Sequence, residues 1–190
     1  YRVYRNPAAG STFKLLASNI VETTFKDANI DNHQYEYTVV AVRHHQQSDY
    51  SNTVKTRAPW VKIPGRLEAE SASEITGSSV TRTSDLDGKF NLTGPGGISD
   101  KALMNYQLEV TKSGLYSLSY RVAAPNDTRG FAILVNDEEL TTEKVTSTGG
   151  YHQWQTQTGA TVYLNQGKNK LSIHSHDKGW KLNWINFKQN

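Results

Sequence analysis

The sequence predicts an all-β protein, on three observations. Short runs of alternating apolar and polar residues recur along the chain. They are separated by Gly, Asn, Asp and Ser, and no window longer than about ten residues holds a helical period without a breaker. Aromatic residues are also abundant for so polar a chain: four Trp and ten Tyr among 190 residues at a mean hydropathy of −0.65. Such a length leaves room for one large domain or two small ones, and two are expected.

In chain order the strand-like runs are "YRVYR" (1–5), "YEYTVVAV" (35–42), "YSLSYRV" (116–122), "FAILV" (131–135), "ATVYL" (160–164) and "KLSIHS" (170–175). Between the first two and the rest lies "TRAPWVKIPGR", Thr56 to Arg66, where two Pro and one Gly interrupt any central ladder. The boundary is placed there, giving domains at 1–58 and 66–190 joined by a linker at 59–65, with Trp60 packing at the junction. The formal charge is +3 without a run of five like charges, so basicity gives no reason to expect nucleic acid. No hydrophobic stretch is long enough to cross a bilayer, so no membrane partner is expected. The opening "YRVYR" reads as a strand and not a signal peptide, as in a piece of a longer chain. The absence of Cys removes disulfides, thiolate zinc sites and Cys nucleophiles together.

Residues 1–58 resemble the second half of a fibronectin type III domain. "YRVYR" matches a middle strand, "TTFKDANI" a bend, "YEYTVVAV" the strand carrying a tyrosine corner, and "SDYSNTVK" the final strand. The first two strands of that fold are missing, which implies a partial spacer domain whose inner face is either left by removed upstream chain or covered by another part of the structure.

From Arg66 to Phe187 the order "LEAES", "DKALMNYQLEV", "SGLYSLSYRVAAP", "GGYHQWQTQTGATVYLNQGKNKLSI" and "GWKLNWINF" resembles a family-6 carbohydrate-binding module. The resemblance implies a jelly-roll β-sandwich whose loops at one end form a ligand cleft. It implies non-catalytic binding of a polysaccharide or oligosaccharide, in a secreted or cell-surface bacterial protein. The partner would be an upstream catalytic domain of the same polysaccharide-degrading glycoside hydrolase. The family's stacking aromatic falls on Tyr151, where Trp is usual, and its second stacking Tyr falls on Gly97. Phe90, in "LDGKFNLTGPGG", is the candidate to replace that second ring. The family's sugar-binding Asn falls on Lys181, a change that admits an anionic or sulfated ligand and tilts the expectation to an agar-like galactan. Lys178, Lys181 and Lys89 would be neighbours if the Phe90 loop folds over the cleft. Trp180 is either a wall of that cleft or a packing cap, while Trp154 and Trp184 read as core.

The same resemblance implies a structural calcium held by Glu68 and Glu70 of "LEAE", with a side-chain oxygen from Asn183. The two carboxylates are two residues apart and so are expected on one face of a strand, where they repel unless a cation neutralises them. In "HSHD", His174 and His176 share a face with Asp177 following, but no third ligand stands at zinc-like spacing. His44 and His45 point to opposite faces. Asp85, Asp87 and Asp100 are loop acids with nothing linking them to an acid–base role, and no G-x-S-x-G, phosphate-loop or H-E-x-x-H motif occurs. Catalysis is therefore not expected. The alternative is a structural accessory domain that packs on its catalytic neighbour without binding sugar.

Overall fold

All six strand-like runs form strands. The computed structural model describes residues 1–7, 12–29, 34–44, 46–56 and 58–190, so His45 lies outside it. The first block contains β1 (Arg2–Pro7), β2 (Lys14–Ala17), β3 (Tyr35–Val40), β4 (Val42–Arg43), β5 (Gln46–Gln47) and β6 (Val54–Lys55). Strand β1 lies between β2 and β3 in an antiparallel sheet of order β2-β1-β3-β6, and β4 pairs with β5. Asp27 holds the irregular segment before β3 against this sheet. Its carboxylate accepts from Arg5 Nη1 at 2.7 Å and from the Tyr37 hydroxyl at 2.8 Å. One face of the sheet opens into a hollow of about 720 Å³ whose lining includes Val3, Ile20, Phe25 and Val39.

The second block contains β7 (Trp60–Ile63), β8 (Gly65–Glu68), β9 (Glu74–Thr76), β10 (Ser79–Arg82), β11 (Phe90–Thr93) and β12 (Leu103–Val110). It continues with β13 (Gly114–Ala123), β14 (Thr128–Val135), β15 (Glu138–Val145), β16 (Gln155–Leu164), β17 (Gly167–Ser175) and β18 (Lys181–Gln189). Two sheets face each other. One runs β10-β11-β18-β13-β16 with β8 also on β18; the other runs β15-β14-β17-β12-β7 with β9 also on β12. The alternation of each strand places one set of side chains between the sheets. Met104, Tyr106, Leu108, Phe131, Ile133 and Ile173 come from one side, and Leu92, Leu118, Val122, Leu182, Ile185 and Phe187 from the other. The chain is thus a nearly all-β protein built on a β-sandwich, as its alternation predicts.

Three local expectations are corrected. Residues 59–65 are not a free linker. Trp60–Ile63 runs parallel to β12 at the sheet edge, and the chain crosses to the other sheet at Pro64 to begin β8. An edge position tolerates the flanking prolines because only one side of the strand must be paired. "LEAES" is not a continuous strand either. It turns at Glu68 into a single 3₁₀ turn, Ala69–Ser71, closed by the Ser71 hydroxyl donating to the Glu68 carbonyl at 2.6 Å. Glu68 and Glu70 therefore do not share a strand face.

The third correction concerns "GWKLNWINF". Pairing with β13 slips so that Arg121 faces Trp184 while Val122 faces Leu182, leaving Asn183 as an extra residue. This bulge reverses the phase of the strand. Leu182, Ile185 and Phe187 point into the core, and Trp184 lies outside it on the opposite face. Trp184 is buried there beneath Arg66, whose guanidinium carbon sits 4.9 Å from the ring centroid, and its Nε1 donates to Asp87 Oδ2 at 3.2 Å. Trp180 is the core residue. It is fully buried and stacked on Phe131 at 4.9 Å with 14° between planes.

Candidate functional site

At the end of the sandwich where β18 begins, three loops converge. The 94–102 loop is tied to the 176–180 loop by a short bridge, with Ile98 N donating to the Trp180 carbonyl at 2.7 Å and Gly179 N to the Ile98 carbonyl at 3.1 Å. Gly97 is required by this contact. Its φ is +97°, and a Cβ there would stand 2.7 Å from Trp180 N. The position where the resemblance expects a second stacking ring is therefore filled by backbone and is not an open gap.

The third loop carries Tyr151. Thr148 anchors it to β13: its Oγ1 accepts from Ala124 N at 2.9 Å, and its amide donates to the Ala124 carbonyl at 2.8 Å. The Tyr151 hydroxyl donates to the Gly96 carbonyl at 2.8 Å, tying the two loops together. Lys181, the first residue of β18, places Nζ 5.6 Å from the centroid of the Tyr151 ring. Burial holds the Lys181 ammonium below its ordinary pKa, and among the described residues no carboxylate lies within ion-pair distance of it. The site thus combines one aromatic face with a partly desolvated, donor-only cation. An aromatic ring and an ammonium are the groups that can meet the C–H face and the oxygens of a sugar.

The other expected members of the site are elsewhere. Trp180 is not a cleft wall: it is enclosed by the core, and its Nε1 donates to Ser175 Oγ and the Asp177 carbonyl, both at 3.0 Å. Phe90 does not reach Tyr151. It opens β11 two residues before Leu92, the partner of Leu182, and lines a groove on the first-block side of the sandwich. The three lysines do not assemble either, since Lys178 borders a small hollow with Asp100, Arg129 and His176 while Lys89 stands beside Phe90. Trp154 is not core but half-exposed at the start of β16.

Trp154 belongs to a network that sequence reasoning missed. Its Nε1 donates to Ser84 Oγ at 3.1 Å, and the same oxygen lies 3.1 Å from His152 Nδ1. The next residue, Asp85, is buried. Its carboxylate accepts from Arg121 Nε at 2.8 Å, Arg121 Nη2 at 2.9 Å and Asn183 Nδ2 at 2.7 Å. Burial by itself would raise the Asp85 carboxyl, but Arg121, Asn183 and the Asp87 amide together hold it below the usual carboxylate range. The loop acid is therefore a clamp that fixes the 83–87 loop on the outer sheet face and, through Ser84, braces the Tyr151 loop. The available signal was alternation in "SYRVAAP", which puts Arg121 outside the core on a central strand.

The residues expected to hold calcium come close together despite the changed local structure. Glu68, Glu70 and Gly88 line one hollow with Arg66 and Lys89. Glu70 is buried, and Asn183 Oδ1 is buried with no hydrogen-bond donor. Arg66 competes for Glu68, with Nε donating at 2.6 Å. Buried carboxylate and amide oxygens are the donor type a hard cation takes, so the residues fit calcium, with Glu70 and Asn183 the stronger pair. No group of three or more His, Cys, Asp or Glu side chains that could hold a metal occurs among the described residues, and "HSHD" forms none.

Together these features define a β-sandwich whose loops at one end bring Tyr151 and Lys181 together. The profile of carbohydrate-binding module family 6 matches residues 68–189, and the chain belongs to that family. Among solved structures it is similar to the C-terminal family-6 module of LamC, a marine laminarinase from Zobellia galactanivorans. The two are 27% identical with a TM-score of 0.59, over 65% of this chain and 98% of that one. It is equally 27% identical to a module of lichenase 5A from Cellvibrio mixtus, solved with cellotriose, at a TM-score of 0.58 over 67% of this chain and 98% of that one. A β-1,3-glucan-binding module from Bacillus halodurans shares the fold at 24% identity and a TM-score of 0.59, over 68% of this chain and 98% of that one. No curated protein matches the sequence. Family membership and these neighbours support carbohydrate binding by a non-catalytic module.

Proposed function

We propose that the chain binds polysaccharide through the Tyr151 cleft and thereby holds a polysaccharide-degrading glycoside hydrolase, joined to it in one secreted or cell-surface protein, on its substrate. The observation that carries this reading is the Tyr151 ring, held at the loop end by its own hydroxyl, with the Lys181 ammonium over it and, among the described residues, no carboxylate paired with that charge. A single ring with one cation gives weak contacts, which suits attachment by repeated re-engagement of a polymer. Lys181 in place of a neutral amide favours a glycan bearing sulfate or carboxylate, and among such polymers an agar-like galactan. The calcium role is structural: Glu70 and Asn183, with Glu68 once Arg66 yields it, would hold the ion and supply a bond between the 3₁₀ turn and β18.

The test is retention of the chain on agarose, porphyran, carrageenan, laminarin, cellulose and xylan, with Tyr151→Ala and Lys181→Asn alongside. Retention on one polymer that is lost with Tyr151→Ala is expected, and Lys181→Asn should move preference toward neutral polymers. Retention unchanged by Tyr151→Ala would refute the assignment. The closed backbone at Gly97 favours one rival, an accessory domain that packs on its catalytic neighbour without binding sugar. It predicts no retention on any polymer.

A further inference from the structure

Phe90 and Lys89, displaced from the Tyr151 cleft, take part in a second concave feature. A groove of about 570 Å³ lies between the edge of the β10-β11 sheet and the first block. That volume is within the range of ligand sites. Arg5, Lys14, Arg82 and Lys89 line it, and no described lining residue is acidic. The cations come in two sets. Arg5 and Lys14 are cross-strand partners on β1 and β2, while Arg82 faces Phe90 across β10 and β11 with Lys89 next in the chain. A hydrogen bond from Thr83 N to the Lys89 carbonyl at 3.2 Å fixes that second set at the hairpin base.

Arg5 is committed to Asp27 and stacks at 4.5 Å over Tyr35. Lys14, Arg82 and Lys89 are exposed, and none has an ion-pair partner among the described residues. Like charges gathered this way repel unless a counter-charge is present. The floor between them is apolar, with Leu15 53% exposed beside Leu16, Val80 and Phe90.

We infer that this groove is a second binding site, for an acidic polysaccharide whose sulfate or carboxylate groups meet the two cationic rims while its C–H faces lie on the apolar floor. Charge complementarity sets the sign of the ligand, and the exposed apolar floor favours a pyranose chain over a fully polar polyanion. The site spans both blocks, so it assigns the first block a direct part in recognition. It is independent of the Tyr151 cleft.

The test uses the whole chain in affinity electrophoresis through carrageenan and alginate, with agarose and laminarin as neutral gels and polyglutamate and DNA as non-carbohydrate polyanions. The exposed triple variant Lys14→Gln, Arg82→Gln, Lys89→Gln is compared with Tyr151→Ala, and circular dichroism checks that each is folded. The triple variant is expected to lose affinity for the acidic polysaccharides by about eightfold, the product of roughly twofold per exposed cation, and to leave neutral polymers unchanged. Residual acidic-polymer binding in Tyr151→Ala, removed by adding the triple change, would support a separate site. The inference is overturned if the triple variant matches the parent on both acidic polysaccharides, if the parent binds neither, or if polyglutamate or DNA binds as well as they do. Loss of all retention with Tyr151→Ala alone would overturn the groove and leave the cleft standing.

Discussion

Asp85→Ala is the most informative single change, because the clamp it removes is both structural and one residue from the brace of the Tyr151 loop. The parent carboxylate accepts four hydrogen bonds: two from Arg121, one from Asn183 and a long one of 3.4 Å from Asp87 N. Its side chain is 3% exposed, that of Arg121 22%. Removing one member of a fully buried pair costs about 3–5 kcal/mol. Arg121 reaches some solvent and keeps a 3.4 Å contact to Thr156, so about 2–4 kcal/mol is expected, or roughly 5–12 °C of melting temperature for a domain of this size. The assay is scanning calorimetry as a function of pH. The folded-state pKa of Asp85 is depressed, so its stabilisation is complete above the ordinary carboxylate range and is lost as pH falls through the folded value. The gap between parent and variant should therefore be full at pH 7 and close below about pH 4. Polysaccharide retention should fall with it at pH 7, since Ser84 no longer holds Trp154 and His152 in place. A melting temperature within about 2 °C of the parent at pH 7 would refute the clamp, because so small a shift is less than one kcal/mol at this size.

Two further predictions follow from the site. Gly97→Ala should destabilise by about 1–3 kcal/mol, since its positive φ and a Cβ 2.7 Å from Trp180 N strain the loop bridge together, and melting temperature with retention on polysaccharide measures both effects. Calcium at a hundred- to a thousandfold over its dissociation constant should stabilise the fold by about 3–4 kcal/mol, seen as a higher melting temperature that chelator reverses and Glu70→Gln lacks. An unchanged melting curve on adding calcium or chelator would remove the metal.

Strand content, the sandwich and its boundaries with turns were legible because alternation is a direct consequence of the pleat and survives on every central strand. The tryptophans of "GWKLNWINF" were not, because one bulged residue changes which face each side chain takes and no composition signal marks a bulge. "LEAES" misled for a related reason: side-chain closure by Ser71 diverts the backbone after two strand-like residues. Tyr151 and Lys181 were named by the resemblance and stand side by side in the structure, whereas Phe90 sits at a loop end whose path depends on tertiary contacts. The Asp85–Arg121 pair joins residues 36 apart in sequence, and nothing local announces such a pairing.

Asn183 links the Asp85 clamp to the neighbourhood of the proposed calcium site. Its amide nitrogen serves the Asp85 clamp, and so the Tyr151 loop, while its buried amide oxygen faces Gly88, which lines the hollow with Glu70. The assignment of the two ends is fixed by charge: reversing the amide would set its oxygen against the Asp85 carboxylate and its N–H₂ toward the hollow. A cation bound at that oxygen would therefore polarise the same amide that donates to Asp85, strengthening the clamp without touching it. The bulge that misled the reading of Trp184 is what makes this possible. By adding one residue to β18 it keeps Leu182 and Ile185 in the core and leaves Asn183 between two networks that a regular strand would hold apart.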